Sequence, residues 1–166
     1  MRIRHIYNKI IGLYYKRKIL KTGKKIGKGL YLGGKSYVTN NTILGDHVNF
    51  NGMSMSGKGK ITIGNYFHSG VGCQIITSFH NYEGEEIPYD YTYIDKDVDI
   101  GDFVWLGNNV IILGGCTIGK GAIIQAGSVV VNDIPDYGIA GGHPAKVFKY
   151  RNIEKFNKLE KEHKYH

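Results

Sequence analysis

Between Ile94 and Val130 the hydrophobic positions recur every six residues: Ile94, Ile100, Leu106, Ile112, Ile118, Ile124 and Val130. Four residues after each of the first six stands Val98, Val104, Val110, Cys116, Ala122 or Ser128, all small or β-branched. A helix of 3.6 residues per turn would scatter such positions around its cylinder, so the period excludes a helix and predicts a solenoid of short strands. Each small position lies two before the next large one, so both point to the same side of one strand. The residues between make a corner, where Gly and Asn, with Gly101, Gly107 and Gly119 just after the large slots, are expected to relieve a positive φ. Three strands and three corners close a coil, which stacks residues 18 apart at about 4.8 Å.

The same grid runs earlier through Ile26, Leu32, Val38, Leu44 and Phe50, then through Ile63, Ser69 and Ile75. It breaks twice, and each break must be looped out, since a one-residue slip would turn the next strand inside out. The longer break, residues 77–93, lacks the aliphatic slots and is rich in tyrosine and polar groups. A solenoid that carries such a stretch outside its core commonly uses it for function. Beyond Val130, Asn132-Asp133-Ile134-Pro135 ends the grid, and a charged helix is expected from about Arg151 to Tyr165. The predicted organisation is an N-terminal helix over 1–22, a β-helix over 23–135 carrying the loop 77–93, and a loop with a C-terminal helix over 136–166.

Positions just before the large slots face outward. Trp105 stacks with Ile123 on one face, Ile111 with Val129 on a second, and Asp99 with Thr117 on the third. Two apolar outer faces predict either self-association, with three copies suiting a triangular section, or cover by the terminal helices. The net charge of +8 is concentrated at one end: residues 1–28 hold ten Lys or Arg and no acid. The remainder has twelve basic and fourteen acidic residues, so no broad nucleic-acid surface is expected. Ile3, Ile6, Tyr7, Ile10, Ile11 and Tyr14 recur at helical spacing among these cations. That helix is either a cap on the open end of the solenoid or a weak dock on an anionic membrane surface. Residues 1–28 have no uninterrupted apolar core and no small-residue cleavage site, so a secretory leader is not expected. Cys73 and Cys116 occupy inward slots 43 apart, without ligand spacing, and read as buried thiols of a protein in the reducing cytoplasm.

The aliphatic–glycine hexads, Val104-Trp105-Leu106-Gly107, Gly127-Ser128-Val129-Val130 and Gly142-His143-Pro144-Ala145-Lys146 together resemble the hexapeptide-repeat acyltransferases, over roughly residues 26–150. Among these the chain is most similar to the galactoside, maltose and nodulation-factor O-acetyltransferases and their relatives in surface-polysaccharide gene sets. The resemblance implies an all-β, left-handed parallel β-helix with short terminal helices, a homotrimer, and active sites between subunits. Acetyl-CoA as co-substrate, no metal and a saccharide acceptor follow from the same resemblance.

The family places a catalytic histidine on the loop before the Val-Trp run, which implies His80 as general base. Imidazole titrates near neutral pH and can take the proton of an attacking hydroxyl. The structural alternative is that His80 only caps a turn. Many relatives carry Pro after this histidine, where this chain has Asn81. For the cofactor the resemblance implies Trp105, Gly107, Asn108, Ala126, Gly141, Gly142, Lys146 and Lys149, with Arg151 nearby. For the acceptor it points to Asn51, while Tyr82 and Glu83 suit a sugar by chemistry, with Glu83 also placed to orient His80. The other loop tyrosines (Tyr89, Tyr91, Tyr93) serve either a sugar or a subunit interface. Rival readings are N-acetylation of an amino sugar, O-acetylation of a streptogramin-type antibiotic, and a non-catalytic scaffold. A zinc anhydrase of the same fold needs three clustered histidines, which the spacing does not supply.

Overall fold

The computed structural model describes residues 2–165, with side chains from Ile10 onward, so those of Ile3, Ile6 and Tyr7 lie outside it. The chain coils into a triangular parallel β-helix of about six turns. One face has five strands (Lys25–Ile26, Thr42–Leu44, Ile61–Ile63, Val98–Ile100, Thr117–Ile118). The second has seven, of which Tyr31–Leu32, Asn49–Phe50, His68–Ser69, Trp105–Leu106, Ile123–Ile124 and Gly138–Gly142 run in parallel. Its seventh strand, Ala145–Tyr150, turns back antiparallel on Gly138–Gly142. The third face has four strands: Met53–Ser56, Cys73–Ile76, Ile111–Leu113 and Val129–Val130.

The six-residue slots form the core in register. Leu44, Ile63, Ile100 and Ile118 stack on the first face, Phe50, Ser69, Leu106 and Ile124 on the second, and Met55, Ile75, Ile112 and Val130 on the third. All are buried, as are their inward partners Val48, Phe67, Cys73, Val98, Val104, Val110, Cys116, Ala122 and Ser128, all small or β-branched but Phe67. The outward pairs Trp105 with Ile123, Ile111 with Val129 and Asp99 with Thr117 also stand opposite one another.

Three expectations are corrected. Ile94 is not an inward slot: it pairs antiparallel with Phe79 in a two-stranded hairpin, Ser78–His80 with Tyr93–Asp95, and the grid resumes at Val98. The grid also outlasts Val130, because Ile134 bridges Ile118 and Ala140 pairs with Ile124. Thus the coil passes residue 135 and includes Gly138–Gly142. The third correction concerns the glycines that follow the large slots. A Cβ on Gly101 would lie 2.8 Å from Lys120 N, and one on Gly45 2.8 Å from Gly64 C. These glycines serve close approach of the next coil, and their φ values are not positive. The left-handed residues come two positions later, at His47, Tyr66, Phe103, Gly121 and Tyr137 on one corner and at Gly72, Asn109 and Gly127 on another.

At the first of these corners an Asx side chain satisfies the backbone of the coil before it. Asp46 Oδ1 accepts from Lys28 N at 2.9 Å, Asn65 Oδ1 from Asp46 N at 2.8 Å and Asp102 Oδ1 from Asn65 N at 2.6 Å. Their neighbours build an aromatic column: His47 stacks on Tyr66 at 4.9 Å and Tyr66 on Phe103 at 5.3 Å. The C-terminal helix α2 (Ile153–Lys161) rests on this column through Phe156 and is tied down by Lys120 Nζ, which donates to both carboxylate oxygens of Glu160 at 2.6 and 2.8 Å. It is shorter than the expected 151–165; Asn152 caps its start by accepting from Lys155 N at 2.8 Å.

The two kinds of glycine respond differently to substitution. Gly101→Ala forces a side chain into the neighbouring backbone and is expected to cost about 1–3 kcal/mol, with Gly101→Asn no better. Gly127 has φ +72° and nothing within 4 Å of an added Cβ. Gly127→Ala is expected to cost about 1–2 kcal/mol, and Gly127→Asn less. Urea unfolding midpoints check this order; an Asn variant that restores position 101 would refute the close-approach account.

Candidate active site

The sequence-nominated residues fall into two groups on different corners. The register places residues 51, 70, 107, 125 and 141 in one row after the seven-stranded face, with the next residue of each forming a second row. Asn51, Gly107, Asn108, Ala126, Gly141 and Gly142 therefore share one corner. Gly107 has no room for a side chain, since its Cβ would lie 2.5 Å from Ala126 N. Asn108 is held on both sides: its Oδ1 accepts from Val71 N at 2.9 Å and its O from Gly127 N at 2.8 Å. Asn51 donates from Nδ2 to Ser69 O at 3.0 Å. Gly142 N donates to the buried Ser128 Oγ at 3.1 Å, which seats the hairpin turn through His143-Pro144. Trp105 stands beside this corner, 52% exposed, between His68 and Ile123. His68, one before the Ser69 slot, sits on the same outer face, bonded to Asn49 at 3.1 Å.

Lys146 and Lys149 come from the returning strand. Three apart, they would ordinarily face opposite sides, but a bulge intervenes: Ala140 pairs with Val147 and Ile139 with Lys149, leaving Phe148 unpaired. Skipping one residue brings both lysines to the same, exposed side, while Ala145 and Val147 turn to the core. Arg151 points elsewhere. Its Nε donates to Gly121 O at 2.5 Å, its guanidinium lies 5.5 Å from the Phe156 ring, and burial pushes its pKa down.

His80 belongs to the other group. The hairpin leaves the coil at the corner after the four-stranded face, beyond Cys73–Ile76. Four strand residues at about 3.3 Å each put roughly 13 Å between that corner and the one holding Asn108. His80 thus rises from a different corner of the chain than the one that holds Asn108. Within the loop, the His80 ring stacks on Tyr89 at 3.8 Å and 16° and meets Tyr93 at 4.7 Å and 36°. These rings, and not Glu83, are its close neighbours; Glu83 and Tyr82 stand exposed at the loop's edge.

The loop is organised around Asp90, which the sequence reading passed over. The residue is buried, and its carboxylate accepts from Thr92 Oγ1 at 2.5 Å, Thr92 N at 2.8 Å and Glu85 N at 3.2 Å. Asn81 braces the base by donating to Thr92 Oγ1 at 3.1 Å. The signal available was Asp90-x-Thr92, a pattern that closes an Asx turn. The Thr92 hydroxyl, then the backbone N–H groups, hold the Asp90 carboxyl below its ordinary range. Cys73 and Cys116 are free and buried inside the coil, and burial pushes both thiols up, so neither is a poised nucleophile. Among the described residues no cluster of three or more His, Cys, Asp or Glu could hold a metal.

This architecture, a glycine-stacked triangular coil with a histidine-bearing hairpin inserted at one corner, defines a class of β-helix proteins whose members can be compared directly. Residues 97–132 match the family described as bacterial transferase hexapeptide (six repeats). A hexapeptide-repeat-containing acetyltransferase of Vibrio cholerae, solved with acetyl coenzyme A, is 32% identical, covering 74% of this chain and 70% of that one, with a TM-score of 0.61. A maltose O-acetyltransferase of Clostridium difficile is 27% identical over 89% of this chain and 86% of its own, with a TM-score of 0.63. A putative acetyltransferase of Saccharomyces cerevisiae is 33% identical over 123 residues, 74% of this chain; the chain spans 57% of that relative's length. The chain belongs to the hexapeptide-repeat acetyltransferases, and its fold is their left-handed parallel β-helix.

Asp90→Ala is expected to release the loop without loosening the coil, so amide protection at Glu85 and Thr92 falls while the melting temperature barely moves. Because the folded Asp90 carboxyl lies below the value of about 3.9 for an unfolded chain, its anchoring is complete above that value. It is lost as pH falls through the lower, folded one. Hydrogen exchange across acid pH checks this; a loop that loosens near neutrality instead would refute it.

Proposed function

We propose that this protein transfers an acetyl group from acetyl-CoA to a hydroxyl of a saccharide, within a homotrimer whose active sites lie between subunits. The observation that carries the reading is the separation of His80 from the glycine corner. Each chain presents an imidazole on one edge and a narrow, backbone-lined ledge on another, which suits a triangular molecule whose edges meet in threes. Acetyl coenzyme A is bound by the Vibrio relative, and the Clostridium relative is named for a sugar acceptor. Cell-surface polysaccharide assembly in the cytoplasm is the setting proposed for the acceptor.

In this reading the cofactor lies along the row Asn108, Ala126 and Gly142 of one subunit, with Gly141 beside it. Gly142 and the small Ala126 let the pantetheine arm approach the backbone, Trp105 flanks it, and Lys146 and Lys149 meet its phosphates from their shared side. His80 of the neighbouring subunit removes the proton as the acceptor oxygen attacks the thioester carbonyl. Negative charge collects on the carbonyl oxygen, where a corner N–H stabilises it. The C–S bond then breaks, and the thiolate takes up a proton from imidazolium or water. Tyr89 and Tyr93 fix the plane of the imidazole, and Tyr82, Glu83 and Asn51 border the acceptor side. The elevated thiols and the interior position of both cysteines favour direct transfer over an acyl-enzyme.

His80→Ala is expected to abolish acceptor-dependent release of coenzyme A while leaving the oligomer intact. Tyr89→Phe is expected to retain activity, whereas Tyr89→Leu lowers kcat roughly ten- to a hundredfold through a misaligned base. Lys146→Glu and Lys149→Glu should raise KM for acetyl-CoA with kcat little changed. Mixing His80→Ala with Ala126→Trp, each inactive alone, should restore up to about a quarter of the sites in randomly assembled trimers. No recovery on mixing would refute a site shared between subunits. Mass spectrometry of products from sugars, amino sugars and streptogramins separates ester from amide formation.

A further inference from the structure

The N-terminal helix α1 (Arg2–Thr22) was open to two readings, a cap or a dock; the structure packs its inner side on the coil and leaves its outer side exposed. The inner side is the cap. A Cβ on Gly12 would collide with Leu32 O, Ile19 is 1% exposed, and the Tyr15 ring meets Tyr37 edge-on at 5.1 Å. Tyr15 and Tyr37 also share a hydroxyl hydrogen bond of 3.0 Å. This side closes the first coil.

The outer side is a second apolar stripe. Ile10, Leu13, Tyr14 and Leu20 are 62, 58, 54 and 51% exposed. With Arg17 and Lys21 they fall at positions 10, 13, 14, 17, 20 and 21, one face of a helix of 3.6 residues per turn. Exposed cations stand in and beside the stripe, Arg17 and Lys21 within it and Lys18, Lys24 and Lys25 next to it, with Lys18 Nζ 4.7 Å over the Tyr14 ring. No acid stands among residues 1–28, which hold ten Lys or Arg.

We propose that this outer stripe docks on an anionic lipid bilayer, with the axis of α1 parallel to the surface. The four apolar side chains enter the boundary between headgroups and acyl chains, and the cations meet lipid phosphates. Charge decides against a second copy as occupant: the same basic face would meet itself, and the rest of the chain carries only a small negative net charge. A nucleic acid would take the cations but leave Ile10, Leu13 and Leu20 in water. Among the described residues no helix is long and apolar enough to cross a membrane, so α1 lies on the surface. The inference concerns where the protein works and does not rest on its acetyl transfer.

The test is sedimentation of the full-length protein with phosphatidylglycerol–phosphatidylcholine vesicles and with phosphatidylcholine vesicles alone. Binding is expected to the first only, weakening as salt rises. The triple variant Arg17→Glu, Lys18→Glu, Lys21→Glu should lose roughly a hundredfold in partitioning. Leu13→Ser with Leu20→Ser should also release the protein. Since all five side chains point outward, melting temperature and oligomeric state should match the parent in both. Absence of binding by the parent, or equal binding by the variants, overturns the proposal. So does a change of oligomeric state in the leucine variant without a change in vesicle binding, which would mark the stripe as a contact between copies.

Discussion

The vertical fit of one coil on the next is the constraint from which the rest follows. No coil has enough interior to stand alone; each buries its aliphatic slots only against the layers above and below. That stacking brings backbone close to backbone at two of the three corners, where the glycines that follow most of the large slots supply the space. Close approach would strand N–H groups, and Asp46, Asn65, Asp102 and Asp136 accept them from the coil before. Packing and polar satisfaction thus impose the same spacing, and corner residues become fixed points of a lattice. Gly107, Asn108, Ala126, Gly141 and Gly142 are such points, which is why their ledge is straight and narrow.

Much of this was legible in the residues, because a strict period leaves few geometries open. The large and small slots, the outward pairs and the buried cysteines are all local consequences of a pleat repeated every six residues. What escaped was whatever departs from the period. Ile94 kept the beat by coincidence, and only the pairing with Phe79 reveals a hairpin. The bulge at Phe148 reverses the expected sidedness of Lys149, and a bulge depends on the partner strand, which no local pattern records. The tyrosines beside His80 were assigned to sugar or interface, yet two of them hold the imidazole. That arrangement depends on a loop closure built around Asp90, whose modest Asp-x-Thr signal is common in any turn.

The separation of the two site halves gives the fold a division of labour. The ledge at the glycine corner is made by the coil itself and shares its rigidity. The imidazole is carried on a loop that has its own hydrogen-bonded hub and is tied to the coil at its base, where Ser78 Oγ accepts from Lys58 N and Phe79 lies near Gly114. The helix that closes the first coil shows a comparable economy: one side completes the core, while the other remains outside it.

The hairpin enters between Ile76 and Val98, and the register of the strands on either side is the same as if it were missing. An insertion that leaves no trace in the stack is free to vary in length and composition. A lineage could therefore rewrite what meets the acceptor while inheriting its cofactor ledge unaltered, much as a tool handle accepts interchangeable heads. Diversity in this family would then accumulate at a single socket, with the column beneath it held constant by its own geometry.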